Sequence, residues 1–180
     1  MISLRFRFML KNAGCALAGI ALLLALAGCS PSYNWRELLL ADGRIQAAFP
    51  AKVQAETRDL DAQGTSLRFT LTSARVGDGV FAVGHAPLPP GLPARTREQL
   101  AEGVQRSLYA RIGAAPPAAW PAPGTVLHAR SAEGEPARWM YARVWVDDGL
   151  LVQAVAVGTV AGLPEAEART FLASIKRLPL

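Results

Sequence analysis

The sequence predicts an α+β fold, in which an antiparallel sheet of about six or seven strands packs with two main helices. Several segments alternate between apolar and polar residues with a period of two, as half-buried strands do. Short turn-like segments separate them, and the Asp-Gly step at Asp148-Gly149 is typical of a hairpin. Only two segments have the spacing of apolar residues that indicates a helix.

The strands are predicted from this alternation. The clearest is Ser66–Thr72, in which Leu67, Phe69 and Leu71 point to one face and polar residues point to the other. Leu150–Val160 is apolar on both faces, and we therefore expect it to be central in the sheet. The other predicted strands are Arg44–Phe49, Lys52–Leu60, Gly79–Ala86, Gly124–Arg130 and Ala137–Val146.

Two helices are predicted. Thr96-Arg97-Glu98-Gln99 has the spacing of a capping box, and Gly113 is expected to end the first helix. The second helix has Pro164 in its first turn, and Lys176 and Arg177 suit its negative C-terminal end. The apolar positions are Leu100, Val104, Leu108 and Ile112 in the first helix and Ala168, Phe171, Leu172 and Ile175 in the second.

Residues 1–28 have the pattern of a secretory signal peptide. Residues 1–12 carry three basic side chains and no acidic one, and an uncharged, mostly apolar run of 16 residues follows. The run is shorter than the roughly 20 residues that a helix needs to cross a bilayer. We therefore predict a cleaved segment at 1–28 and a single globular domain at 33–180.

The end of this segment, Leu26-Ala27-Gly28-Cys29, closely resembles the bacterial lipobox. The resemblance implies that Cys29 is lipidated, that the chain is cut before it, and that residues 29–32 are a short tether to the membrane. Ser30 stands where an Asp tends to retain lipoproteins in the inner membrane, so the resemblance implies the outer membrane and a domain in the periplasm. The alternatives are a plain signal peptide and an uncleaved anchor.

Composition excludes several classes of protein. The chain has 19 basic and 14 acidic side chains, but three of the basic ones lie in the first 28 residues, so the remainder has 16 against 14. A balance of +2 does not indicate nucleic acid as a partner. The composition also excludes a disordered chain, a collagen-like chain and a small disulfide-rich protein.

The residues that carry catalytic or metal chemistry are sparse. The only histidines, His85 and His128, stand far apart in the sequence, with no His-x-x-x-His pattern and no Cys/His cluster. There is no Gly-x-Ser-x-Gly motif and no glycine-rich phosphate loop. We therefore predict two structural or surface histidines, no metal, no cofactor and no enzymatic activity, and a hydrolase with an unrecognised site is the least favoured alternative.

One predicted strand, Ala137–Val146, combines aromatic and basic residues on one face and aliphatic residues on the other. Trp, Tyr and Arg dominate the hot spots of protein interfaces, so the aromatic face is a candidate interaction surface. The alternative is that a helix covers this face as well. The residues of the aromatic face are Trp139, Tyr141, Arg143 and Trp145.

The order of the predicted elements is similar to the PsbP-like fold. An opening strand ends at Phe49-Pro50, hairpins follow, and a helix and three strands precede a closing helix with Phe171-Leu172 and Ile175. Three short segments also resemble uncharacterised lipoproteins of Gram-negative bacteria. They are Tyr33-Asn34-Trp35-Arg36, Phe81-Ala82-Val83-Gly84 and Ala137-Arg138-Trp139.

PsbP-like domains act mainly as accessory subunits, and the resemblance therefore implies a non-enzymatic lipoprotein that binds another envelope protein. The alternative function is a carrier for a lipid or another amphiphile, which requires a cavity under the sheet.

Overall fold

The structure is a computed structural model, and it describes residues 32–62, 65–132, 136–147 and 149–178. Cys29 and the predicted signal peptide lie outside the described residues. The described strands are β1 (Arg36–Leu40), β2 (Ile45–Phe49), β3 (Val53–Ala62), β4 (Thr65–Val76), β5 (Gly79–Pro87), β6 (Leu127–Arg130), β7 (Arg138–Val146), β8 (Leu150–Thr159) and β9 (Lys176–Arg177). The described helices are α1 (Ala94–Arg111) and α2 (Glu165–Ser174).

The described strands form two antiparallel sheets, which confirms the predicted α+β class. The larger sheet has the order β3-β4-β5-β8-β7-β6, and β8 is central in it, as predicted. The smaller sheet has the order β1-β2-β9. The sequence did not predict β1, whose residues do not alternate, or β9, which has two residues, and both pair with β2 in the smaller sheet.

Both faces of the larger sheet are covered. On one face, α2 and the smaller sheet enclose a core that includes Phe49, Phe81 and Phe171. On the other face, α1 packs on a second cluster, which includes Leu100 and Met140. Because a core cluster lies on each side of the sheet, both faces of β8 carry apolar residues.

The helix ends differ from those predicted. The first helix begins at Ala94, directly after Pro93, and Arg97 N–H donates to Pro93 O at 3.1 Å. No side chain caps it, so the predicted capping box was wrong: the fixed φ of Pro93, −57°, starts the helix two residues before Thr96. The predicted end is confirmed, since Gly113 has a φ of +66°.

The second helix is shorter than predicted at both ends. Pro164 precedes its first residue instead of lying in its first turn. Ile175 is buried and has an extended backbone, which turns the chain away from the helix axis. Lys176 and Arg177 therefore pair with β2 as β9, and the prediction that they lie at the helix end was wrong.

Candidate functional site

The aromatic face of β7 is covered in the fold. The predicted alternation is present, but Tyr141 is 0% exposed and Trp145 is 7% exposed. Both side chains belong to the core formed with α2. Tyr141 and Trp145 are therefore covered, as in the alternative that the sequence left open, because the hydrophobic effect favours a second layer of structure over wide aromatic side chains. An interaction surface formed by Trp139, Tyr141, Arg143 and Trp145 stays a prediction.

The polar atoms of the two half-buried residues on this face have partners within the fold. Trp139 Nε1–H donates to Leu163 O at 3.1 Å, and Arg143 Nε–H donates to Gly124 O at 2.9 Å. The Arg143 guanidinium also lies 4.6 Å from the centre of the Trp145 ring. Burial lowers the pKa of Arg143, and the charge of Arg177 contributes in the same direction. These contacts indicate a structural role.

The two histidines lie in different environments. His128, on β6, stacks on Tyr141 with ring centres 4.4 Å apart. His85, on β5, is half-buried, and its Nδ1 has no hydrogen-bond partner among the described residues. In the described part of the chain, no three His, Cys, Asp or Glu side chains gather where they could hold a metal ion.

His85 is expected to make the stability of the fold depend on pH. Burial lowers its pKa below the ordinary value of 6.5, although the Asp42 carboxylate opposes the shift. The unfolded chain therefore binds this proton more readily, so stability is greatest above about pH 6.5 and falls as the pH decreases below it. We expect the urea midpoint of the unsubstituted protein to be lower at pH 5.0 than at pH 7.5. In His85→Gln, the difference between the midpoints at these two pH values should be smaller. His128→Gln serves as the control, and an unchanged difference in His85→Gln would contradict this role.

A cleft lies between α1 and the larger sheet, and we call it the α1 cleft. It has a volume of about 530 Å³. The helix contributes a stripe of residues spaced by three and four, and β4, β5 and β8 contribute most of the floor. The helical residues are Gln99, Leu100, Gly103, Val104, Ser107, Leu108 and Arg111, with Ile112 after them, and the floor residues are Leu60, Leu67, Phe69, Leu71, Val80, Ala82, Met140, Leu151, Gln153, Val155 and Val157.

Two glycines shape the α1 cleft in opposite ways. A Cβ at Gly84 would lie 2.2 Å from Phe69 Cζ and 3.0 Å from Gln153 Cγ, so the missing side chain allows both residues to lie against β5. Apart from the neighbouring residues and the backbone of α1 itself, a Cβ at Gly103 would have no atom within 4 Å. Gly84 thus allows the side chains of Phe69 and Gln153 to pack over β5 in the floor of the cleft. Gly103 leaves open space beside the middle of α1.

The polar side chains of the α1 cleft are few. They are Gln99, Ser107, Arg111 and Gln153, and none of the described lining residues is acidic. Among the described residues, neither Arg111 nor Gln153 has a side-chain hydrogen bond or an ion pair. An apolar cleft with a small number of unpaired polar groups has the composition of a site for a small amphiphilic molecule.

Sequence reasoning identified the walls of the α1 cleft but not the cleft. Leu67, Phe69 and Leu71 were predicted to share a strand face, and the apolar stripe of α1 was predicted correctly. Gly103 was missed. A glycine in the middle of an otherwise regular helical pattern is the signal that could have found it, because such a residue disfavours the helix.

No helix among the residues that the structure describes is both long enough and apolar enough to span a membrane. A comparison of the chain with protein-family models, with curated proteins and with solved structures finds no match to any of them.

Proposed function

We propose that the protein is an outer-membrane lipoprotein, anchored through Cys29, whose periplasmic domain binds a lipid or another amphiphile in the α1 cleft. The volume of the cleft carries the proposal. The cleft is open to solvent on one side, and its volume of about 530 Å³ falls in the range of roughly 300–1,000 Å³ that is typical of ligand pockets.

The lining supports an apolar ligand. Each methylene group that moves from water into such a cleft contributes about 0.8 kcal/mol, so an acyl chain would gain affinity along its whole length. The aromatic face of β7 supports a binding function less well, because Tyr141 and Trp145 are buried in the core that also contains residues of α2. The resemblance of residues 26–29 to a lipobox supports the membrane anchor, which would hold the cleft near a source of lipid.

Substitution of Gly103 tests the proposal. Gly103→Leu is expected to fill the open space beside α1 and to reduce lipid binding strongly, while a stronger helix former stabilises the helix by up to about 1 kcal/mol. The full-length protein would be purified from membranes with the same detergent for each variant. Noncovalently bound lipid per protein would then be extracted and measured by mass spectrometry.

Gly103→Ala is the matched control, because it raises helix propensity by a similar amount but adds only one methyl group. We expect it to retain most of the lipid that co-purifies with the unsubstituted protein. Equal amounts of lipid in the Leu and Ala variants and in the unsubstituted protein would contradict binding in the α1 cleft. A thermal unfolding curve for each variant checks that any loss of lipid does not come from unfolding.

A further inference from the structure

We infer that the ligand of the α1 cleft is a single-chain anionic amphiphile, with its head group at Arg111 and its acyl chain along the cleft toward Leu67. This inference rests on the proposed function and names its ligand class. Two sources share this chemistry: a free fatty acid, whose head group is a carboxylate, and an anionic lysophospholipid, whose head group is a phosphate diester.

Charge supports the anionic head group. Arg111 is the one charged side chain among the described residues that line the cleft, and it is exposed. It has no ion pair or hydrogen bond with another described residue. A guanidinium donates paired hydrogen bonds to a carboxylate or a phosphate, and such charge-assisted bonds are roughly twice as strong as neutral ones.

The position of Arg111 makes its charge important. It lies in the last turn of α1, where the backbone carbonyls give the helix end a partial negative charge. This end repels an anion unless a cation offsets it. Removal of the guanidinium is therefore expected to weaken the binding of an anionic ligand in two ways: the hydrogen bonds to the head group are lost, and the negative helix end is no longer offset.

The size and walls of the cleft support one acyl chain. From Arg111, the cleft continues past Val157 and Val155 to an apolar end at Leu60 and Leu67. Gln153 is the polar residue on the floor, and its unpaired amide can both donate and accept a hydrogen bond. An ester carbonyl or a hydroxyl group of a lysophospholipid can use this amide, whereas a fatty acid has no polar group besides its carboxylate.

Photocrosslinking in membrane vesicles tests the inference with the full-length protein. The vesicles would consist of phosphatidylcholine, with one diazirine-bearing probe in each experiment: a fatty acid, lysophosphatidylglycerol or zwitterionic lysophosphatidylcholine. We expect the anionic probes to label peptides of α1 and β8, and the zwitterionic probe to label them weakly. Labelling by only one anionic probe identifies the source of the ligand and supports the inference.

Arg111→Gln is expected to lower the labelling by the anionic probes about tenfold, in line with the loss of a charge-assisted pair. Arg111→Lys keeps the charge and should retain a larger part of the labelling. Arg130→Gln is the matched control, since Arg130 is an exposed cation on β6 but does not line the cleft.

The outcomes separate this inference from the proposed function. If Arg111→Gln is labelled as strongly as the unsubstituted protein while Gly103→Leu is not labelled, the cleft binds lipid but the assignment of the head group is wrong. Equal labelling by the zwitterionic and anionic probes would also overturn the assignment. If Gly103→Leu is labelled normally, the proposed function itself fails.

Discussion

Replacement of Phe171 with Ala is expected to lower the free energy of unfolding by about 3–5 kcal/mol. Phe171, on α2, is completely buried, and its ring centre lies 5.7 Å from that of Phe49 and 5.5 Å from that of Phe81. These two rings belong to different sheets, so one side chain joins α2 to both. Since domains are typically stable by only about 5–15 kcal/mol, the substitution removes a large fraction of the total.

Urea denaturation of the full-length protein measures this effect, with circular dichroism as the readout. Thr170→Ala is the matched control, because Thr170 is the exposed neighbour on the same helix and should change stability by less than about 0.5 kcal/mol. The urea midpoint of Phe171→Leu is expected to lie between those of Phe171→Ala and Thr170→Ala. A midpoint of Phe171→Ala within error of that of Thr170→Ala would contradict the three-ring core.

Replacement of Cys29 with Ala is expected to abolish lipidation and to leave an uncleaved precursor. The resemblance of Leu26-Ala27-Gly28-Cys29 to a lipobox implies that lipid transfer requires the Cys29 thiol and that cleavage follows lipid transfer. Several acyl chains anchor a protein stably, whereas the variant would depend on its apolar leader alone. Intact-protein mass spectrometry and metabolic labelling with palmitate would measure processing and lipidation directly.

Cys15→Ala provides the matched control for this experiment. Cys15 lies inside the apolar run, where we expect it only to contribute apolar surface, and its replacement should leave processing unchanged. Normal cleavage and palmitate incorporation in Cys29→Ala would refute the lipobox interpretation. Loss of both in Cys15→Ala would show that the assay reports damage to the leader instead of a requirement for one thiol.

The elements with regular periodicity were predictable from the sequence. Alternation located β4 through Leu67, Phe69 and Leu71, and the apolar stripe of α1 was correct even though its start was misplaced. A two-faced apolar strand was correctly expected to be central, as β8 is. The short strands β1 and β9 were not predictable, because their pairing with β2 depends on contacts between distant parts of the chain.

At the candidate site, too, some features follow from the sequence and others depend on the tertiary structure. By itself, the sequence determined which side chains share a strand or helix face, including the aromatic face of β7 and the apolar faces that line the α1 cleft. Only the tertiary structure decided that Tyr141 and Trp145 are buried in a core with residues of α2 and that space remains between α1 and the sheet. The physical reason is that periodicity sets the direction of a side chain, whereas burial and cavity volume depend on how closely a second element packs against that face.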